Sequence, residues 1–138
     1  MKIGHLIKVI SNQLDAGKNE RLKQDNLTSS QLELLFFLEG RRGTVTSQKD
    51  IGEYFGVRHT TVIHILKRVE EKGYIGRRVN QENAKYRDVY LTDKGSGKVA
   101  EVTNKRRVIE AMLVRGMSET EQEELKRLLA KVYDNLKV

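Results

Sequence analysis

The chain has 138 residues, of which 38% are hydrophobic, which fits one domain or two small lobes sharing a core. A formal net charge of +7, from 26 Lys and Arg against 19 Asp and Glu, points to a polyanionic partner. Nucleic acid outranks membrane, because no apolar run approaches the roughly 18 residues that a spanning helix needs. The absence of cysteine excludes disulfide scaffolds, thiolate zinc sites, thiol nucleophiles and cysteine redox switches. The absence of proline, with helix-type spacing in most segments, points to a mainly helical protein.

The N-terminal stretch MKIGHLIKVISNQL has spaced apolar residues and no small-residue cleavage site. It reads as a mature helix, and the expected location is the cytoplasm. Ile3, Leu6, Ile7, Ile10 and Leu14 form its apolar stripe, and the polar segment from Asp15 to Asn26, with Gly17, reads as a frayed end and connector. Thr28 and Gln31 have the spacing of a capping box, with Leu27 and Leu32 placed to close a hydrophobic staple. They open a second helix, LELLFFLEG, which is apolar almost all round and therefore central. GRRGTVT reads as a loop or one short strand, and Thr46 or Ser47 can cap a third helix whose Ile51, Tyr54 and Phe55 are expected to face inward.

After Gly56 comes VRHTTVIHILKRVEEKG, with Val62, Ile65, Leu66 and Val69 on one stripe and Thr60, His64, Lys67 and Glu71 on the other. Its first turn carries Arg58, His59, Thr60 and Thr61, which can meet base edges and phosphates when a helix enters a major groove N-terminus first. Gly73 supplies the stop. Two short helices joined by a glycine-containing turn have the layout of a helix-turn-helix. The pattern then becomes extended: YIGRRVN and YRDVYLT flank the polar tip Gln81 to Lys85, predicting a two-stranded ribbon lined by Arg77, Arg78, Lys85 and Arg87. Such a hairpin behind a helix-turn-helix is a wing, suited to phosphate contact or minor-groove entry.

Thr92 can cap a long helix to about Arg115, with Val99, Val102, Ile109, Met112 and Leu113 on its apolar side and the cations Lys105, Arg106 and Arg107 between them. Ser118 and Glu121 form a second capping box, and Leu125, Leu128, Leu129, Val132 and Leu136 run on at helical spacing. These terminal stripes need burial. Packing against a second copy of the chain is the economical answer, with an intramolecular bundle as the alternative.

At this point the chain resembles the MarR-type (multiple antibiotic resistance regulator) winged-helix transcription regulators over nearly its whole length. LTSSQLELLFFL is similar to the family's second helix, SQKDIGEYFGVRHTTVIHILKRVEEKGYIGRR to its helix-turn-helix, and VYLTDKG to the strand and cap that precede its long dimerisation helix. The resemblance implies a mainly α protein with a small β-wing. A winged helix-turn-helix lobe over 27–91 would be flanked by dimerisation helices at 1–16 and 93–138, the whole 138 residues forming a single unit. It implies a homodimer that binds double-stranded DNA at a palindromic operator, as a repressor released by a small aromatic anion. Arg58, His59, Thr60, Thr61, His64 and Arg68 would meet the major groove, and Ser47, Gln48, Arg77, Lys85 and Arg87 the backbone and the wing contacts. One departure stands out: where the family's wing carries Asp-x-Arg, counting back from Leu91 gives Asn83-Ala84-Lys85. Lysine neutralises phosphate but gives up the bidentate fork and the ion pair that would brace the tip.

No glycine-rich phosphate loop, serine elbow or His-Glu zinc motif is present, so the sequence gives no sign of an enzyme or of a cofactor. Metal sensing is disfavoured because the histidines are His5, His59 and His64, and the latter two are five residues apart on the helix assigned to DNA. A winged-helix module for protein or RNA is the competing reading, since fold alone does not settle function.

Overall fold

The computed structural model describes residues 1–137, apart from the side chain of Arg21, and four of its six helices begin where the sequence supplies caps. Helix α1 spans Ile3–Asp25, α2 Ser29–Gly40, α3 Gln48–Phe55, α4 His59–Glu71, α5 Asp93–Leu113 and α6 Glu119–Leu136. Thr28, Ser47 and Ser118 each close a full capping box, on α2, α3 and α6 respectively. Each such cap contributes about 1 kcal/mol by answering amides that the helix leaves unpaired. Of the two candidate caps for α3, Ser47 is the one used.

Helix α1 runs further than its apolar stripe predicts. The segment expected to be a frayed connector continues it through Gly17 to Asp25, and Asn26, at φ 55°, ends it. Lysine, glutamate and glutamine in that segment are good helix formers, and together they outweigh the roughly 1 kcal/mol that one glycine costs. Tyr54 also departs from expectation: it is 50% exposed and stacks on Phe37 at 4.2 Å, while Ile51 alone on α3 is buried.

Three strands, β1 (Thr46–Ser47), β2 (Ile75–Val79) and β3 (Arg87–Leu91), form an antiparallel sheet in the order β1-β3-β2. The expected hairpin forms from β2 and β3, and a short strand, one of the two readings of GRRGTVT, joins it at Thr46. Thr46 pairs with Val89 on one edge of β3 while Arg77 pairs with Val89 on the other, which makes β3 central. Asp88 and Val89, on opposite faces of β3, are consequently both buried.

The chain divides into two compact units, Met1–Val99 and Ala100–Val138, with the division inside α5. The core of the first is built from Leu34 and Leu35 of α2, Ile51 of α3 and Val62, Leu66 and Val69 of α4, all essentially inaccessible. Each such side chain contributes roughly 1.5–3 kcal/mol through burial. Gly52 lets α3 and α4 approach closely, because a Cβ there would lie 3.4 Å from Val62 Cγ2. In the second unit α6 buries no residue, and Leu128, Leu129 and Leu136 are exposed.

The end of α4 is fastened to the start of α5. Gly73 turns the chain at φ 83°, and the three carbonyls of Lys72, Gly73 and Tyr74 accept from Lys94 Nζ (2.6 Å), the Thr92 hydroxyl (2.6 Å) and the Thr92 amide (3.1 Å). The same Thr92 hydroxyl accepts from the Gly95 amide at 3.1 Å, and so caps α5 as its sequence position suggests. Residue 95 must be glycine, since a Cβ there would sit 2.1 Å from the Tyr74 carbonyl oxygen. Gly97, two residues on, has open space around it. Gly95→Ala is thus expected to destabilise by about 1–3 kcal/mol or more through overpacking, whereas Gly97→Ala should stabilise by about 0.5–1 kcal/mol through helix propensity. Urea denaturation of both variants at equal protein concentration checks the pair; equal effects would contradict the packing.

Candidate nucleic-acid interface

Helices α3 and α4 meet through a turn in which Gly56 takes φ 63° and Arg58 is extended. Arg58 makes no side-chain cap, unlike the residues that open α2, α3 and α6, and the first turn of α4 contains no acid, unlike those of α3 and α6. The Thr61 amide donates to the Arg58 carbonyl at 3.0 Å, and the leading amides ahead of it, with the positive end of the helix dipole, are left for an anion. Around them Arg58, His59, Thr60 and Thr61 are all exposed, as are His64, Lys67 and Arg68 further along. The opposite face is core, with Val62, Leu66 and Val69 buried and Ile65 half-buried. The two faces read from the sequence are those of the folded helix.

Ser47 and Gln48 divide differently. The Ser47 hydroxyl accepts from the Asp50 amide at 3.1 Å, and the Ser47 amide donates to Asp50 Oδ2 at 2.9 Å, so its polar groups are engaged in capping α3. Gln48, the first residue of α3, lines a hollow of about 500 Å³ with Ile63, Glu70, Arg77 and Arg87. This hollow lies where α3, α4 and the wing strands converge. Ile63 is the residue that sequence reading passed over. It is 40% exposed, and the signal for it is an apolar side chain standing off the buried stripe of an amphipathic helix.

Arg77 is held in a fork rather than standing alone. Its Nε and Nη2 donate to Glu70 Oε2 and Oε1, both at 2.9 Å, tying the base of the wing to the last turn of α4. These hydrogen bonds hold the Glu70 carboxyl below the usual carboxylate range and raise the Arg77 guanidinium above its ordinary value. Arg78 lies over the Tyr90 ring at 4.7 Å, and Gly76 makes room for that ring, since a Cβ there would come within 2.4 Å of it. Lys85 and Arg87 are exposed at the tip and on the first residue of β3.

The wing tip has a brace built from side-chain amides. The Asn80 amide nitrogen donates to both Asp88 oxygens at 3.1 and 3.3 Å, and Asn80 Oδ1 accepts from the Glu82 and Asn83 amides, both at 2.9 Å. Asn83 Oδ1 in turn accepts from the Lys85 amide at 3.0 Å. Asparagine side chains mimic backbone turns in this way, so the tip is ordered by amides where an Asp-x-Arg pair would use charge. Among the described residues no group of three or more His, Cys, Asp or Glu could hold a metal ion, and no helix is long and apolar enough to cross a membrane.

A helix-turn-helix followed by a β-hairpin on a three-stranded sheet defines a winged helix-turn-helix protein. Residues 25–85 match the MarR family. The chain is 35% identical over 127 residues to the uncharacterized HTH-type transcriptional regulator YwoH of Bacillus subtilis (strain 168), covering 90% of each chain. It is 30% identical over 94 residues to YwaE of the same organism, also named as an uncharacterized HTH-type transcriptional regulator, covering 68% of this chain and 54% of that one. Among solved structures, the Staphylococcus aureus MepR–DNA complex matches with a TM-score of 0.90 at 27% identity, over 97% of this chain and 99% of that one. MepR bound to ethidium bromide matches at 0.85 and 26% identity, over 99% and 98%. The chain belongs to the MarR family, whose members are winged-helix transcription regulators and not enzymes. The fold and family expected from the sequence are both borne out.

The Glu70–Arg77 fork has a pH signature. Because the folded-state pKa of Glu70 is depressed, its contribution is present above the unfolded value of about 4.3 and is lost as pH falls through the folded value. The pair is partly exposed, so the contribution is small, about 0.5–1 kcal/mol. Glu70→Gln is expected to lower stability by that amount at pH 7 and to match the wild type at about pH 3. A stability gap unchanged across that range would contradict the assignment.

Proposed function

We propose that this protein is a homodimeric repressor that places one copy of α4 in each of two successive major grooves of a palindromic operator, with its wings on the flanking backbone. The observation that carries this reading is the exposed, acid-free and uncapped leading turn of α4, with Arg58, His59, Thr60, Thr61 and His64 around it. The MepR–DNA complex supports it, being similar over 97% of this chain. In a two-fold dimer the recognition helices read half-sites about 34 Å, or one helical turn, apart. Arg68 is carried further along the same helix, and Gln48 approaches from the start of α3.

Wing and helix contribute differently. Lys85 and Arg87 act through phosphate charge, so their replacement by alanine is expected to weaken binding to all sequences and to flatten the salt slope by about one unit per lost contact. Arg77 acts mainly by positioning the wing, because its charge is already paired with Glu70. The test is a mobility-shift assay on the protein's own upstream DNA at two salt concentrations. Binding to operator and random DNA with equal affinity would overturn the operator reading in favour of a module for another partner.

The homodimer is supported by apolar stripes that stay exposed: Leu6, Ile10 and Leu14 on α1, Met112 and Leu113 on α5, and Leu128, Leu129 and Leu136 on α6. Stripes of this kind are buried in dimer interfaces. Replacing Leu128 and Val132 together with charged residues is expected to yield monomers that bind DNA poorly. A wild-type protein that sediments as a monomer at micromolar concentration would contradict the architecture.

The release mechanism is a small aromatic effector. The MepR structure with ethidium bromide, an aromatic cation, widens the class beyond the anions that the family resemblance implies. Salicylate is therefore titrated in the mobility shift, and ethidium against the protein alone by calorimetry, because it intercalates into DNA. If neither changes DNA affinity or binds, regulation is constitutive or partner-controlled.

A further inference from the structure

We infer that Ile63 is a specificity-determining residue that reads the 5-methyl group of a thymine in each operator half-site. The inference rests on the operator binding proposed above and adds to it a residue and a base.

Ile63 stands apart from the other apolar residues of its helix. Val62, Leu66 and Val69 are buried and Ile65 is half-buried, while Ile63 is 40% exposed. It lies three residues from Thr60 and four from Lys67, so at helical spacing it shares the outward strip with them. Thr60 and Lys67 are themselves exposed. In the folded chain Ile63 borders the hollow of about 500 Å³ together with Gln48, Glu70, Arg77 and Arg87. Its surroundings are thus an amide, a neutralised ion pair and one further cation, and its own surface is the apolar patch among them.

The chemistry of the major groove selects the partner. Adenine, guanine and cytosine present only donors and acceptors on that edge, whereas thymine adds a methyl group. An apolar side chain that docked against any of the others would strip water from a polar edge without replacing its hydrogen bonds. Isoleucine is suited to the contact for a second reason. Branching at Cβ restricts it to essentially one χ1 rotamer in a helix, so little side-chain entropy is lost on docking. Gln48 on the same hollow is consistent with this choice, since a glutamine amide matches the N6 and N7 edge of adenine, thymine's pairing partner.

The test begins with an operator selected from randomised duplexes by the full-length wild-type protein at fixed salt. Each thymine of a half-site, with its symmetry mate, is then replaced by deoxyuridine, which removes the methyl and leaves the hydrogen-bonding edge intact. At one position the wild type is expected to lose about three- to tenfold in affinity per half-site. In Ile63→Ala that penalty should vanish, and Ile63→Val should retain part of it. Thermal unfolding of both variants checks that they fold as the wild type does, and because Ile63 is exposed they should. A preferred sequence whose thymine methyls do not matter, or matter equally in Ile63→Ala, overturns the inference and leaves operator binding standing. A selection that returns no preferred sequence overturns operator binding, and the inference with it.

Discussion

The carbonyls of Lys72, Gly73 and Tyr74 govern the arrangement of the first unit. All three are satisfied by residues at the start of α5: Lys94 Nζ, the Thr92 hydroxyl and the Thr92 amide. Lys72 also reaches back to Gln31 Oε1 at 2.8 Å and to the Asn26 carbonyl, at the junction of α1 and α2. Buried or half-buried backbone oxygens must be paired, and here one tripeptide's pairing fixes α4, the hairpin and α5 together. The Glu70–Arg77 fork adds the wing to that anchorage. The helix is therefore oriented from its C-terminal end, and its N-terminal end carries neither a side-chain cap nor an acid that would compete with phosphate.

Charge is distributed according to the same logic. The formal excess of +7 suggests an undifferentiated basic surface, but the cations near the wing have separate tasks. Arg77 is paired with Glu70, Arg78 lies over Tyr90, and Arg41 engages Thr46 and Asp50. Lys85 and Arg87 are carried on the exposed tip and strand of the hairpin. Positioning by paired charge and attraction by exposed charge are different physical jobs, since only the second releases counterions from DNA.

What the sequence revealed was local. The capping boxes at Thr28 and Ser118 are set by residues three apart, and the two faces of α4 by a single helix's periodicity, so both could be read directly. Thr92 and Gly95 were recognisable as a pattern, and the structure supplies the reason: a hydroxyl shared between Gly73 and Gly95, and no room for a Cβ against Tyr74. Features set by tertiary pairing were not legible. The two residues of β1 are a strand only because β3 lies beside them, and Asp88 is buried only because β3 is thereby central. The fork between Arg77 and Glu70 is invisible in sequence because Glu70 lies across the turn, and Tyr54 reads as core because Phe37, on which it stacks, is on another helix. The sequence shows that Asn83 and Lys85 give up an ion pair at the tip, but not that Asn80 braces it instead, through hydrogen bonds that no spacing rule marks.

The central claim is that the exposed leading half of α4 reads sequence while the rest of the lobe supplies position and charge. The most direct measurement is the ratio of operator to random-DNA affinity for the double variant Thr60→Ala, His64→Ala, taken at one salt concentration beside the wild type. The account predicts a loss of about 1–3 kcal/mol per removed base contact on the operator and little on random DNA, so that the ratio collapses. A ratio equal to that of the wild type would contradict it.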